Sequence, residues 1–134
     1  MILAACIDDK RGMMFNKRRQ SRDQAQQSDL VNWCAGRRLW MNSYSAPLFA
    51  GIEVCVCDDF LQKAGAGEIC FVETCSAKGL EDRIEAVILY RWNRTYPADV
   101  WFELDLSGYV LEKTEEFAGS SHEVISREIY RRKE

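Results

Sequence analysis

The sequence predicts an α/β protein: a three-layer α/β/α arrangement with a mixed, mostly parallel central sheet and an antiparallel C-terminal hairpin. Three observations predict it. The chain opens on an apolar run, "MILAACI", of the kind found in strands covered on both faces. Strand-like and helix-like patterns then alternate, as parallel strands joined by crossovers do. Finally, the chain ends on strand patterns alone.

Taken in order, "MILAACI" is the central strand, and Gly12 ends the turn after it. A helix is predicted from about Arg22 to Cys34, with Ser21 as its N-cap and Gly36 just past its end. Its apolar face would carry Ala25, Leu30, Trp33 and Cys34. "RRLWMN" is the second strand, and "SAPLFAG" a short helix or turn. "IEVCVC" alternates as a third strand, with Ile52, Val54 and Val56 opposite Cys55 and Cys57. Asp58 or Asp59 would cap a short helix in "DFLQKAG". "EICFVET" and "EAVILYRW" are the fourth and fifth strands, the latter buried because Val87, Ile88 and Leu89 are consecutive. "ADVWFEL", "YVLEKTEEF" and "HEVISREIYRR" complete the chain as strands, the last two forming a hairpin around "AGSS".

The 134 residues suit one domain spanning 1–134. A net charge of −3 argues against general nucleic-acid binding through the overall field, while leaving room for a local basic pocket. No apolar run approaches the ~20 residues that span a bilayer, and "MILAAC" is too short for a signal peptide, so a cytoplasmic protein with no membrane contact is expected. The six cysteines lie mostly in apolar runs and read as reduced, buried thiols. Cys55 and Cys57 share one side of a strand, which leaves a metal or redox pair open. No C-x-x-C occurs and His122 is the lone histidine, so no zinc site is expected.

The order of elements resembles dihydrofolate reductase. The similarity runs over nearly the whole chain as weak local matches in register. "ILAACIDDKRGMMFNKR" is similar to that family's opening strand and mobile loop, and "GRRLWMNSYSAPLF" to its strand and turn reading roughly G-x-x-V-I-M-G-R-x-T-W-E-S. "PADVWFELDLSGYVLEKTEEF" and "REIYRRKE" are similar to its closing hairpin and final strand. The resemblance implies an NADPH-dependent reductase, but the motifs that hold NADPH differ. Where the family has G-R-x-T, this chain has Asn42, Ser43, Tyr44 and Ser45. Where it has a glycine pair, this chain has Glu73, Thr74 and Cys75, and a carboxylate at Glu73 would repel a pyrophosphate. A shorter loop replaces the helix that would follow. No cofactor is therefore expected.

A carboxylate near the start of the first helix binds the pteridine in that family. Asp23 falls near that position, with Asp29 the alternative one register on. Asp23 reads equally as a helix N-terminal acid set against the macrodipole.

The segment ahead of it, "KRRQSRD", concentrates Lys17, Arg18, Arg19 and Arg22 in an acidic chain. Such a run is commonly a solvated face. As a site, it would bind an anion: guanidinium forks pair with phosphate, and a helix start favours negative charge. The ligand-binding set is then Arg18, Arg19, Gln20, Arg22, Asn42 and Tyr44, taking a phosphorylated, nucleotide-like molecule. Arginines beside aromatics in "RRLWMNSY" and "LYRWNRTY" fit base stacking or simple packing at the core edge. His122 with Ser120 and Ser121 reads as turn chemistry.

Three functions remain from sequence. The first is a nucleotide-like anion binder without NADPH catalysis. The second is a divergent NAD(P)H-dependent reductase of a pterin or pyrimidine, with Asp23 as the proton-relay acid. The third is a protein-interaction module whose basic loop meets an acidic partner. Oligomeric state is open.

Overall fold

The computed structural model describes residues 1–133. The apolar opening run forms β1 (Ile2–Ile7), which pairs in parallel on one side with β6 (Ile69–Phe71) and on the other with β7 (Ala86–Arg91). Both faces of β1 are covered, as its lack of alternation requires. Beyond β6 lie β4 (Leu39–Met41) and the edge strand β5 (Cys55–Val56), all parallel. Beyond β7 the sheet turns antiparallel, with β10 (Ile125–Arg132) and then β9 (Tyr109–Phe117). The seven-stranded order is β5-β4-β6-β1-β7-β10-β9.

One face of this sheet is covered by α1 (Gln24–Trp33) and by a 3-10 turn over Ala46–Phe49. The core there holds Leu30, Cys34, Phe49, Phe71, Tyr90 and Trp92. The other face is covered by the single-turn α2 (Phe60–Lys63) and by Met13, Met14, Phe102 and Leu104 from the segments around a second, smaller sheet. That sheet joins β2 (Gly12–Phe15), β3 (Arg18–Arg19) and β8 (Val100–Trp101) in the order β3-β2-β8.

Several local expectations change. The N-cap of α1 is Asp23 rather than Ser21: its extended backbone and a carboxylate accepting from the amides of Ala25 and Gln26 meet the capping geometry. The buried line of the helix runs Gln26, Leu30 and Cys34, at four-residue spacing; Trp33 is partly exposed beneath the Arg127 guanidinium. "IEVCVC" shrinks to a two-residue edge strand with Ile52 and Val56 exposed. "ADVWFEL" contributes only Val100–Trp101, paired with Met14 and Gly12 of β2 across a register irregularity. The basic segment is a tight hairpin, turned by Asn16 and Lys17 at φ 52 and 63. All six cysteines are free thiols. No helix among the described residues is long and apolar enough to cross a membrane.

Candidate functional site

The parallel strands β4, β6, β1 and β7 end together, and the chain connections leave the sheet in different directions there. Such ends are where open α/β sheets gather side chains for chemistry. The last residues of β1 supply Cys6 and, just beyond, Asp8. Asp8 is fully buried and takes the amides of Lys10 (2.9 Å), Gly12 (2.7 Å) and Tyr96 (3.0 Å). Burial alone would raise its pKa, but these N–H donors outweigh it and lower the value. Gly12 is required for this approach: a Cβ there would stand 2.7 Å from the Ala98 methyl and 3.0 Å from an Asp8 oxygen.

On the β6 side of Cys6 stands an ion pair. Glu73, two residues past β6, is buried, and its two oxygens meet Arg19 Nε at 2.9 Å and Nη2 at 3.1 Å. This is the bidentate fork geometry that makes guanidinium–carboxylate pairs strong. Ser45 donates its hydroxyl to the same carboxylate at 2.7 Å. The Arg19 guanidinium lies 4.5 Å above the Tyr44 ring, and the Arg19 amide donates to the Tyr44 hydroxyl at 2.9 Å. Asn42 donates to the Thr74 hydroxyl at 2.9 Å and accepts from the Ser45 amide. The β4–β6 end of the sheet is thus knitted closed by its own polar groups.

On the β7 side stands a second cluster. Asp23, 1% exposed, accepts from the amides of Ala25, Gln26, Ser120 and Ser121 and from His122 Nδ1 at 3.0 Å. Burial would raise its pKa; the Ser120 and Ser121 amides, His122 and the Gln26 amide together hold it well below the ordinary carboxylate range. An ionised carboxylate only accepts, so Nδ1 of His122 carries a proton toward Asp23. The opposite nitrogen, Nε2, lies 3.0 Å from Ser21 Oγ and 3.1 Å from the Tyr96 hydroxyl. The imidazole stacks on Trp92 at 4.5 Å and 14°. Gly119 makes the approach possible: a Cβ there would fall 2.6 Å from an Asp23 oxygen and 2.6 Å from the His122 carbonyl.

Cys6 lies between the two clusters. Burial, then the carboxylates of Glu73 and Asp23, push its thiol well above the usual value, so it is a poor nucleophile. Among the described residues, no group of three or more His, Cys, Asp or Glu side chains is placed to hold a metal ion.

The residues singled out from sequence are thus divided. Arg19, Tyr44 and Asn42 come together, each occupied by protein partners. Gln20 turns away, donating to Asp8 (3.1 Å) and the Pro97 carbonyl (3.2 Å). Arg18 and Arg22 are exposed and form no ion pair among the described residues. The Ala25 and Gln26 amides in the first turn of α1, which would favour an external anion, are taken by Asp23. Asp29 lies elsewhere, accepting from Tyr90 (2.6 Å) and pairing with Arg127, so it ties α1 to β7 and β10. Sequence reasoning missed the burial of His122 and its partnership with Asp23. Their 99-residue separation left no local pattern; the lone histidine of the chain, three residues after Gly119, was the only signal.

One open groove lies nearby, between α1 and the 46–52 turn. It holds about 370 Å³, walled by Gln24, Gln27, Ser28 and Asn32 on one side and by Leu48, Phe49 and Ile52 on the other. It carries no charged residue. The Gln27 amide nitrogen is buried and has no partner among the described residues.

No family model matches this chain, and no curated protein matches it in sequence. Its fold does have a known counterpart. A dihydrofolate reductase from Enterococcus faecalis, complexed with NADP(H) and RAB-propyl, superposes over 100% of this chain and 97% of its own, with a TM-score of 0.66 and 14% sequence identity. The chain has a divergent dihydrofolate reductase-like fold.

Proposed function

We propose that this protein binds an anionic, nucleotide-like small molecule and does not use NADPH to reduce it. The groove beside α1 carries the reading: it is open and uncharged, and Arg22, exposed and unpaired, stands two residues ahead of Gln24 on its wall. A flat, partly apolar body suits the Leu48–Phe49–Ile52 wall and the amides opposite. Its anionic group would be met by Arg22, with Arg18 adding to the local field. Arg19 takes no part, because Glu73 already satisfies its fork.

The Arg19–Glu73 pair also speaks against a dinucleotide. A pyrophosphate approaching the end of β6 would meet a buried carboxylate whose oxygens are already filled by Arg19 and Ser45. That filled carboxylate supports the reading that NADPH is not the ligand.

Calorimetric titration and thermal shift with AMP, ADP, cyclic AMP, dihydrofolate and NADPH test this. A ligand at 100 times its Kd adds ~2.7 kcal/mol, a shift of several degrees at this size. The expected result is binding of a phosphorylated mononucleotide, weakened ~10-fold or more by Arg22→Ala and abolished by Val31→Trp, because Val31 also lines the groove and an indole there fills it. Stabilisation by NADPH would overturn the reading in favour of a reductase. A ligand whose affinity ignores Arg22→Ala would overturn the anion assignment.

A further inference from the structure

We propose that Ser21, His122 and Asp23 form a nucleophile–base–acid relay that cleaves carboxylic esters. The proposal does not depend on the groove ligand. It rests on a line of three groups: Ser21 Oγ to His122 Nε2 at 3.0 Å, and His122 Nδ1 to Asp23 Oδ2 at 3.0 Å.

Asp23 has an evident structural task, capping α1 and holding the 118–122 turn through the Ser120 and Ser121 amides. That task accounts for the carboxylate and not for the rest. Four backbone amides already satisfy Asp23, yet His122 presents its Nδ1–H to it as well. With that proton directed at Asp23, Nε2 faces two hydroxyls, Ser21 Oγ at 3.0 Å and the Tyr96 hydroxyl at 3.1 Å, and the relay takes Ser21 as the donor to its lone pair. Stacking on Trp92 limits rotation of the ring out of this alignment. The three roles of an activated serine are filled: a hydroxyl, a base within hydrogen-bond reach, and a carboxylate orienting the base.

Access and charge fit the same reading. Ser21 is partly exposed on the loop that follows β3, whereas His122 is buried behind it. The amide of Arg22, directly after the nucleophile, has no hydrogen-bond partner among the described residues and is available to a developing oxyanion. The exposed Arg22 side chain favours an ester bearing a negative charge.

The chemistry closes without an added oxidant or metal. Ser21 Oγ adds to the ester carbonyl carbon while its proton passes to Nε2. The carbon–oxygen bond to the alcohol breaks, and that proton goes to the departing oxygen, leaving a seryl ester. Water then attacks the seryl ester, giving a proton to Nε2. The bond to Ser21 Oγ breaks, the proton returns to Oγ, and the carboxylic acid leaves.

The test is labelling by a fluorophosphonate, with the modified peptide located by mass spectrometry, alongside p-nitrophenyl acetate hydrolysis. The expected result is a single adduct at Ser21 and hydrolysis reduced at least 100-fold by Ser21→Ala, which leaves the Asp23 contacts in place. A folded wild-type protein that takes no label at Ser21 would overturn the proposal. Because His122 variants endanger the turn, Ser21→Cys supplies the second measurement. Paired with His122, its thiol should react with iodoacetamide at pH 6 at least 10-fold faster than the thiol of Ser107→Cys, an exposed control. Equal rates would mean that His122 does not act on position 21 and would equally overturn the relay.

Discussion

The two clusters that flank Cys6 are built from similar materials and end in opposite states. On the β6 side, Arg19 and Glu73 meet fork to fork, with Ser45 and Tyr44 filling the remaining contacts. Both partners are held by each other and by neighbouring protein groups, so the cluster is a strut. On the β7 side, the ion Asp23 meets a histidine with two distinct nitrogens. Satisfying Nδ1 leaves Nε2 with two hydroxyls, Ser21 and Tyr96, in reach of it. A fork-to-fork pair closes on itself, whereas a carboxylate held by one nitrogen of a two-sided ring leaves the other nitrogen facing outward.

The comparison breaks most sharply at Asp23. Replacement by alanine removes the α1 cap and strands the Ser120 and Ser121 amides, and should cost about 4 kcal/mol in urea unfolding. Glu73→Ala leaves Arg19 with no carboxylate in a part-buried site. It should cost about 3 kcal/mol, at the low end for a broken buried pair because Arg19 keeps some solvent. A loss larger at Glu73 than at Asp23 would reverse the ranking of the two clusters.

Acid titration sharpens the contrast. Asp23 and Asp8 have folded pKa values below their unfolded ones, so the stability they confer is complete above the unfolded value near 4. It is lost as pH falls through that value toward their folded pKa values. The Asp23 component should give a slope of up to about 1.4 kcal/mol per pH unit below pH 4. Asp23→Asn, followed by thermal melts from pH 5 to pH 2, should flatten that limb, and an unchanged slope would show that Asp23 is not held ionised. The smallest effect is expected at the loop. Arg18→Ala and Arg22→Ala should each change stability by less than about 0.5 kcal/mol, since neither guanidinium has an ion-pair partner. A larger loss at Arg22 would mean that it belongs to a cluster.

Much of the frame was legible. "MILAACI" lacks alternation because both its faces are covered, and Val87, Ile88 and Leu89 say the same of β7. The helix was legible in place but not in face. Gln26 occupies a buried position that composition assigns to an apolar residue, so Ala25 and Trp33 drew the expectation instead. The loop was legible as charged, and the Asn16–Lys17 turn hid its pairing, because positive φ at two non-glycine residues leaves little trace in the sequence. Glu73 was legible as an obstacle to phosphate, while its partner Arg19, which sequence reasoning reserved for a ligand, lies 54 residues away.

Periodicity and apolar runs by themselves determined the class of fold, its central strand and its antiparallel close, because burial of a strand or helix is a local property repeated along the chain. Tertiary structure alone decided which charges were spent. Whether Arg19 waits for a phosphate or is consumed by Glu73, and whether His122 is a turn residue or the partner of Asp23, depends on groups distant in sequence meeting at hydrogen-bond range. Electrostatic satisfaction is a property of such pairs, and no single stretch of sequence contains one.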